Sequence, residues 1–188
     1  MSTLKVDEIL KRTGTGTITI GQSGDTVSIP SGATLSVAGS SVTAVDNTPS
    51  FLVTRSGNQS IADSTTTKIQ WNSEIFDTDN TFDSSTNYRF TPGVAGKYVL
   101  AAGTRASSFE TGEKMQLFFY KNGSGVSYQT ETRNYSASGG GETITVDSQI
   151  LVESDADDYF EVFLLQTEGG SRDIGSASYF YGYKLIGA

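Results

Sequence analysis

The stretch from Trp71 to Leu100, WNSEIFDTDNTFDSSTNYRFTPGVAGKYVL, limits the fold of this chain more than any other. Aromatic residues recur along it, an acidic segment separates them, and Pro92, Gly93 and Gly96 precede Tyr98 and Leu100. Proline presets φ for a turn and glycine takes positive φ without steric cost, so this run is a turn. Tyr98, Leu100 and Ala102 then recur with period two, the spacing of a half-buried strand. The expected order is a strand over residues 68–71, a long polar excursion, Phe90 entering a core, a turn, and a second strand.

The remainder reads the same way. Further strands are expected over 51–54, 98–102, 115–120, 125–135, 143–152, 159–166 and 178–186, with a tight type I′ hairpin at Asn122-Gly123. Turn signals at such spacing describe an all-β sandwich or jelly roll. Composition agrees: 21 glycines, three prolines and short β-branched runs rich in Ser and Thr. In the last strand Tyr179, Tyr181, Tyr183 and Leu185 share one face, with Phe180 and Ile186 on the other. Phe160, Val162 and Leu164 likewise oppose Phe163 and Leu165. A sheet with one wet face alternates cleanly, so both strands call for cover on two sides, one of them from a neighbouring subunit. Tyrosine tolerates partial wetting and suits such an interface.

Trp71, Asp77, Phe82, Phe90, Gly96, Tyr98 and Leu100 follow in the order and near the spacing of the C1q/TNF superfamily signature, which this stretch resembles. It departs by one extra residue between Phe82 and Phe90, which a surface loop absorbs, and by Leu100 and Ala102 in place of aromatics. Tyr120-Lys121-Asn122-Gly123 is similar to the family's Lys-Asn-Gly hairpin, and residues 178–185 to its closing strand. The resemblance covers residues 50–188 and implies a trimeric jelly-roll head.

Upstream, Thr17-Ile18-Thr19-Ile20, Thr26-Val27-Ser28-Ile29 and Thr34-Leu35-Ser36-Val37 form a crude repeat separated by Gly-Gln-Ser-Gly-Asp and Pro-Ser-Gly-Ala turns. Strands this short cannot bury a core alone; three wrapped chains or a single-chain solenoid can. Residues 1–13 fit neither helical nor strand periodicity well and are read as extended. The turn-rich run around Pro49 marks a boundary, giving a β-repeat stalk over 1–47 and a head over 48–188. STLKVDEILKRTGTGTITIG also resembles the start of fibre-like virion proteins of marine bacteriophages.

Without histidine or cysteine, His-based nucleophilic catalysis, His or thiolate zinc sites and disulfides are excluded. Gly14-Thr15-Gly16-Thr17 lacks the lysine of a phosphate loop. Paired carboxylates are the one catalytic option, with Glu110, Glu113, Asp77 and Glu161 as candidates, and nothing marks a pair; the expectation is no enzyme. Asp77, Asp79 and Asp83 do not follow EF-hand spacing, because Phe82 and Tyr88 occupy its glycine and glutamate positions. Asp77 is expected to satisfy loop amides. Asp155, Asp157 and Asp158 lie where some members of the resembled family hold calcium, against the simpler reading of a solvated acidic turn. Asn58, Asn122 and Asn134 match the glycosylation pattern, and the absence of a secretory signal makes these chance matches.

A net charge of -8 argues against nucleic acid and anionic membranes, and no apolar run is long enough for a membrane span. Together these features give a homotrimeric structural virion protein, a tail-fibre or capsid-appendage subunit. It would attach to other virion proteins and present its head to a host-surface glycan or protein. Contacts are expected from loops 77–86, 106–114 and 169–175. A cellular lectin-like module and a polysaccharide-cleaving tail spike are the other readings.

Overall fold

The computed structural model describes residues 47–135 and 141–185, together with 22, 25–28 and 30–33, with backbone alone over 127–129. The described residues contain thirteen strands and no helix. In chain order they are β1 (Ser50–Thr54), β2 (Gln59–Ile61), β3 (Thr67–Lys68), β4 (Ser73–Asp77), β5 (Phe82–Asp83), β6 (Arg89–Phe90) and β7 (Gly96–Phe109), then β8 (Lys114–Lys121), β9 (Ser124–Arg133), β10 (Glu142–Ser154), β11 (Phe160–Gln166), β12 (Arg172–Ile174) and β13 (Tyr179–Lys184). One sheet runs β10-β7-β13-β1-β4, and the other β5-β6-β11-β8-β9 with β3 also on β11; β12 and β2 form a short separate ladder. Every ladder between named strands is antiparallel. Neighbours in a sheet are mostly distant in sequence, as β13 between β1 and β7 illustrates.

The two sheets face each other across one aromatic core. Phe51 lies 4.5 Å from Phe90, 5.0 Å from Phe82 and 4.9 Å from Phe180, the last nearly edge-on. Trp71 is 6.0 Å from Phe180, and Tyr98 is 5.7 Å from Phe90. Edge-on and tilted pairs at these distances add to the burial energy of the rings. The spaced aromatics of the sequence signature are therefore one cluster, built round Phe51 and Phe180. Tyr98 keeps its hydroxyl satisfied by donating to the Val94 carbonyl at 2.6 Å, inside the Pro92–Gly96 turn where Gly93 has φ +71°.

Two glycines set how closely β13 packs. A Cβ on Gly182 would sit 2.5 Å from Leu100 Cδ2 and 2.8 Å from Phe51 Cε1, so the core fills the space a side chain would need. On the opposite face a Cβ on Gly103 would lie 2.7 Å from the Tyr179 ring. Large and small residues thus alternate across this ladder, Gly182 of β13 against Leu100 of β7 and Tyr179 of β13 against Gly103 of β7.

The turn predicted at Asn122-Gly123 is formed: both residues have positive φ, +52° and +75°, and Lys121 pairs with Ser124, as a type I′ hairpin requires. Two expectations change. The strand expected over 68–71 ends at Lys68; the Ile69 amide still reaches the Val162 carbonyl at 2.9 Å, and Trp71 is buried outside any strand. The polar excursion beyond it contains β4, β5 and β6, with β4 pairing to β1 through a bulge between Leu52 and Val53. On the outward side of β11, Phe163 packs at 4.1 Å, tilted, against Tyr120 of the neighbouring strand, and both stay half-buried.

The chain divides between Thr43 and Ala44. The stalk expected over 1–47 lies almost wholly outside the described residues. Two of its turns are described: the Asp25 amide donates to the Gln22 carbonyl and the Ala33 amide to the Pro30 carbonyl, each at 3.0 Å.

Candidate binding face and turn cluster

Residues opposite one another in an antiparallel ladder project to the same side. Inward residues of the first sheet, including Phe51, Leu100, Ala102 and Phe180, are buried. Its outward side therefore carries Leu52 between Phe76 and Tyr181, with Tyr183 opposite Val99 and Val99 opposite Leu151. Phe76 is 47% exposed, Leu151 59% and Tyr179 36%. Tyr179 and Tyr181 stack at 6.0 Å, 20° from parallel. Burial first, then the charge of Asp147 and the neighbouring Tyr181, push the Tyr179 phenol above its ordinary pKa. The result is a surface on which Phe76, Leu151 and Tyr179 stand exposed, Leu52, Tyr181 and Tyr183 are half-buried and Val99 is buried.

At one end of the sandwich three turns are tied together. The Asp155 amide donates to Asp158 Oδ2 at 2.7 Å, Asn122 Nδ2 donates to Asp158 Oδ1 at 2.7 Å, and the Tyr159 amide donates to Asn122 Oδ1 at 2.9 Å. Lys121 Nζ lies 2.6 Å from Asp158 Oδ2 and donates to the Glu153 carbonyl at 3.0 Å. The Gly93 amide adds a bond to the Ala156 carbonyl at 3.0 Å. Burial alone would raise the Asp158 carboxyl; Lys121, the Asp155 amide and Asn122 together outweigh it and hold the pKa at about 2. Of the three carboxylates considered for calcium, only Asp158 enters this network. Asp155 contributes backbone groups, and no set of three carboxylates among the described residues converges on a point that could hold a metal. The cation that faces the Asp158 carboxylate among the described residues is the Lys121 ammonium.

The other candidates are dispersed. Glu161 is buried and pairs with Lys68 at 2.7 Å. Asp77 accepts from the Phe82 amide at 2.7 Å and from Thr81 Oγ1 at 3.0 Å, the loop-holding role read from the sequence. Glu113 accepts from Thr167 Oγ1, while Glu110 contributes its backbone amide to Glu168. Asn122 and Asn134 are structural: Asn134 is buried and donates to the Phe109 carbonyl at 2.7 Å.

Sequence reading missed Arg55. Its buried guanidinium donates to the carbonyls of Gly57, Asn58 and Gln70 and to Gln59 Oε1, fastening the segment that leads to Trp71. Burial lowers its pKa, partly countered by Tyr88. No sequence motif announces an arginine that binds carbonyls rather than a carboxylate.

No family model matches the sequence, and no curated protein matches it. Solved structures do. The chain is similar to the Eiger TNF of S. frugiperda, with 11% identity, a TM-score of 0.53, and coverage of 74% of this chain and 93% of that one. It is similar to the globular domain of the zebrafish complement 1qA protein, with 18% identity, a TM-score of 0.52, and coverage of 73% and 98%. The fold is a C1q/TNF-like jelly roll. At these identities the likeness establishes architecture, and function is argued from the surface.

Proposed function

We propose that this chain is a non-enzymatic structural and binding module that assembles as a homotrimer through the outward face of the β10-β7-β13-β1-β4 sheet. The observation that carries the reading is that face, where Phe76, Leu151 and Tyr179 stand exposed beside half-buried Leu52, Tyr181 and Tyr183. Apolar surface of this kind on a soluble β-protein marks an interface, and aromatic side chains are enriched in interface cores. Three copies convert weak head contacts into useful avidity.

The setting we propose is a bacteriophage virion, on a tail fibre or capsid appendage, with the N-terminal segment towards other virion proteins and the head towards a host-surface glycan or protein. The resemblance of residues 2–37 to fibre-like virion proteins supports this placement. The test uses labelled full-length chain and whole bacterial cells. Assembled protein is retained on the cells, and Leu151→Glu, which breaks the shared face, weakens retention about 100-fold through lost avidity. Absence of retention of the unaltered chain on every strain tested overturns the adhesive reading.

A further inference from the structure

The edge where β4 meets the β5–β6 hairpin carries an open, shallow cleft of about 540 Å³ lined by Glu74, Asn80, Asp83, Ser84, Asn87 and Arg89, among others. That size falls within the ~300–1,000 Å³ typical of small-ligand sites. Unlike most such sites its walls are polar.

The floor of the cleft is held rigid. Asp83 accepts from the amides of Ser85, Thr86 and Asn87 at 3.0, 2.9 and 3.0 Å, from Ser85 Oγ at 3.1 Å and from Asn87 Nδ2 at 2.7 Å. These bonds, the Thr86 amide foremost, hold its carboxyl well below the usual carboxylate range. Asp77 fixes Thr81 and Phe82 from the other side, and Asn80 and Tyr88 are locked at φ +59° and +52°. Left-handed non-glycine residues persist only where surrounding structure over-determines them.

Over this floor five polar side chains are left uncommitted: those of Glu74, Asn80, Ser84, Arg89 and Thr91 make no hydrogen bond or ion pair with any described residue. The Arg89 guanidinium is nonetheless oriented, lying over the Tyr159 ring with 4.3 Å to its centroid. The cleft therefore offers the Glu74 carboxylate as an acceptor, the planar Arg89 fork of donors, two hydroxyls and an amide, with the Asp83 carboxylate already saturated by the bonds above. A phosphate or acidic sugar meets Glu74 and Asp83, a cationic ligand meets Arg89, and an apolar ligand finds too little apolar wall. A ligand dense in neutral hydroxyls satisfies every group: vicinal hydroxyls donate to Glu74, and hydroxyl or ring oxygens accept from Arg89.

We propose that this cleft binds a neutral sugar unit of a saccharide. The proposal rests on the binding-module reading above and specifies its ligand. It is tested by titrating the full chain with a panel of neutral hexose and N-acetylhexosamine oligosaccharides, with an oligogalacturonate as the acidic comparison. Saturation-transfer NMR and calorimetry report binding. At least one neutral oligosaccharide binds, and Glu74→Gln and Arg89→Gln each weaken it about tenfold or more, the loss of a hydrogen bond to a charged partner. Both side chains lie outside the core, and a melting curve confirms that the variants stay folded. Binding of no neutral sugar, preferential binding of the oligogalacturonate, or neutral binding unchanged by both substitutions overturns the cleft assignment. The last of these outcomes leaves the chain a glycan binder at another place, and the assembled mass, measured separately, tests the trimer independently.

Discussion

Replacing Asp158 by asparagine tests whether the acidic turn is held by an internal ammonium or by a metal. The substitution keeps the shape and removes the charge that Lys121 faces at 2.6 Å. The shift of the carboxyl from 3.8 to about 2 corresponds to about 2.4 kcal/mol at ~1.36 kcal/mol per unit. Lys121 is 33% exposed, so solvent screening reduces the expected loss to about 1–2 kcal/mol. For a chain of this size that is a fall of about 2–8 °C in melting temperature at pH 7. The pH dependence has a definite sign. A carboxyl whose folded pKa is depressed contributes its stability above the unfolded value and loses it as pH falls through the folded one. The gap between wild type and Asp158→Asn is therefore constant from pH 7 to about 4 and closes between about 4 and 2. Urea unfolding along that pH series, with and without calcium and with EDTA, gives the answer. A gap that persists unchanged to pH 2, or a wild-type chain stabilised by several degrees on adding calcium, refutes the ammonium account.

Other outcomes follow from the same geometry. Gly182→Ala drives a methyl into Leu100 and Phe51 and to 3.1 Å from the Val99 carbonyl, so thermal unfolding should show a loss of about 1–3 kcal/mol, and an unchanged melt contradicts the packing described. Arg55→Leu strands the carbonyls of Gly57, Asn58 and Gln70; denaturant unfolding should register at least about 1–3 kcal/mol, with hydrogen exchange rising in the same segment. Leu151→Glu alters a side chain that is 59% exposed, so circular dichroism stays unchanged while the assembled mass falls to that of a single chain.

Much of the architecture was legible because one kind of signal, aromatic spacing with turn chemistry, maps directly onto the core. Trp71, Phe82, Phe90 and Tyr98 are fixed in sequence and meet round Phe51 and Phe180 in space. Asn122-Gly123 announces its own turn type, because both residues tolerate positive φ. The strand β4 was hidden for a physical reason: Ile75 and Phe76 are exposed and sit in an acidic stretch, so neither burial alternation nor composition marked them as paired. Asp155, Asp157 and Asp158 looked like one cluster because they are adjacent in sequence. What decides their chemistry is Lys121, brought to Asp158 from another hairpin. The cleft at Glu74 and Arg89 was invisible for the same reason, since its two charges come from different sheets and carry no motif. Periodicity reports which side of a strand is wet, and it does not report which distant side chain arrives there.

The central claim, a head that assembles in threes through its tyrosine-bearing sheet, is tested most directly by light scattering on a sizing column with the full chain. The account predicts a mass near three times 20.0 kDa, reduced to one chain by Leu151→Glu. A single-chain mass for the unaltered protein over the micromolar range contradicts it, and leaves the exposed face without the partner proposed for it.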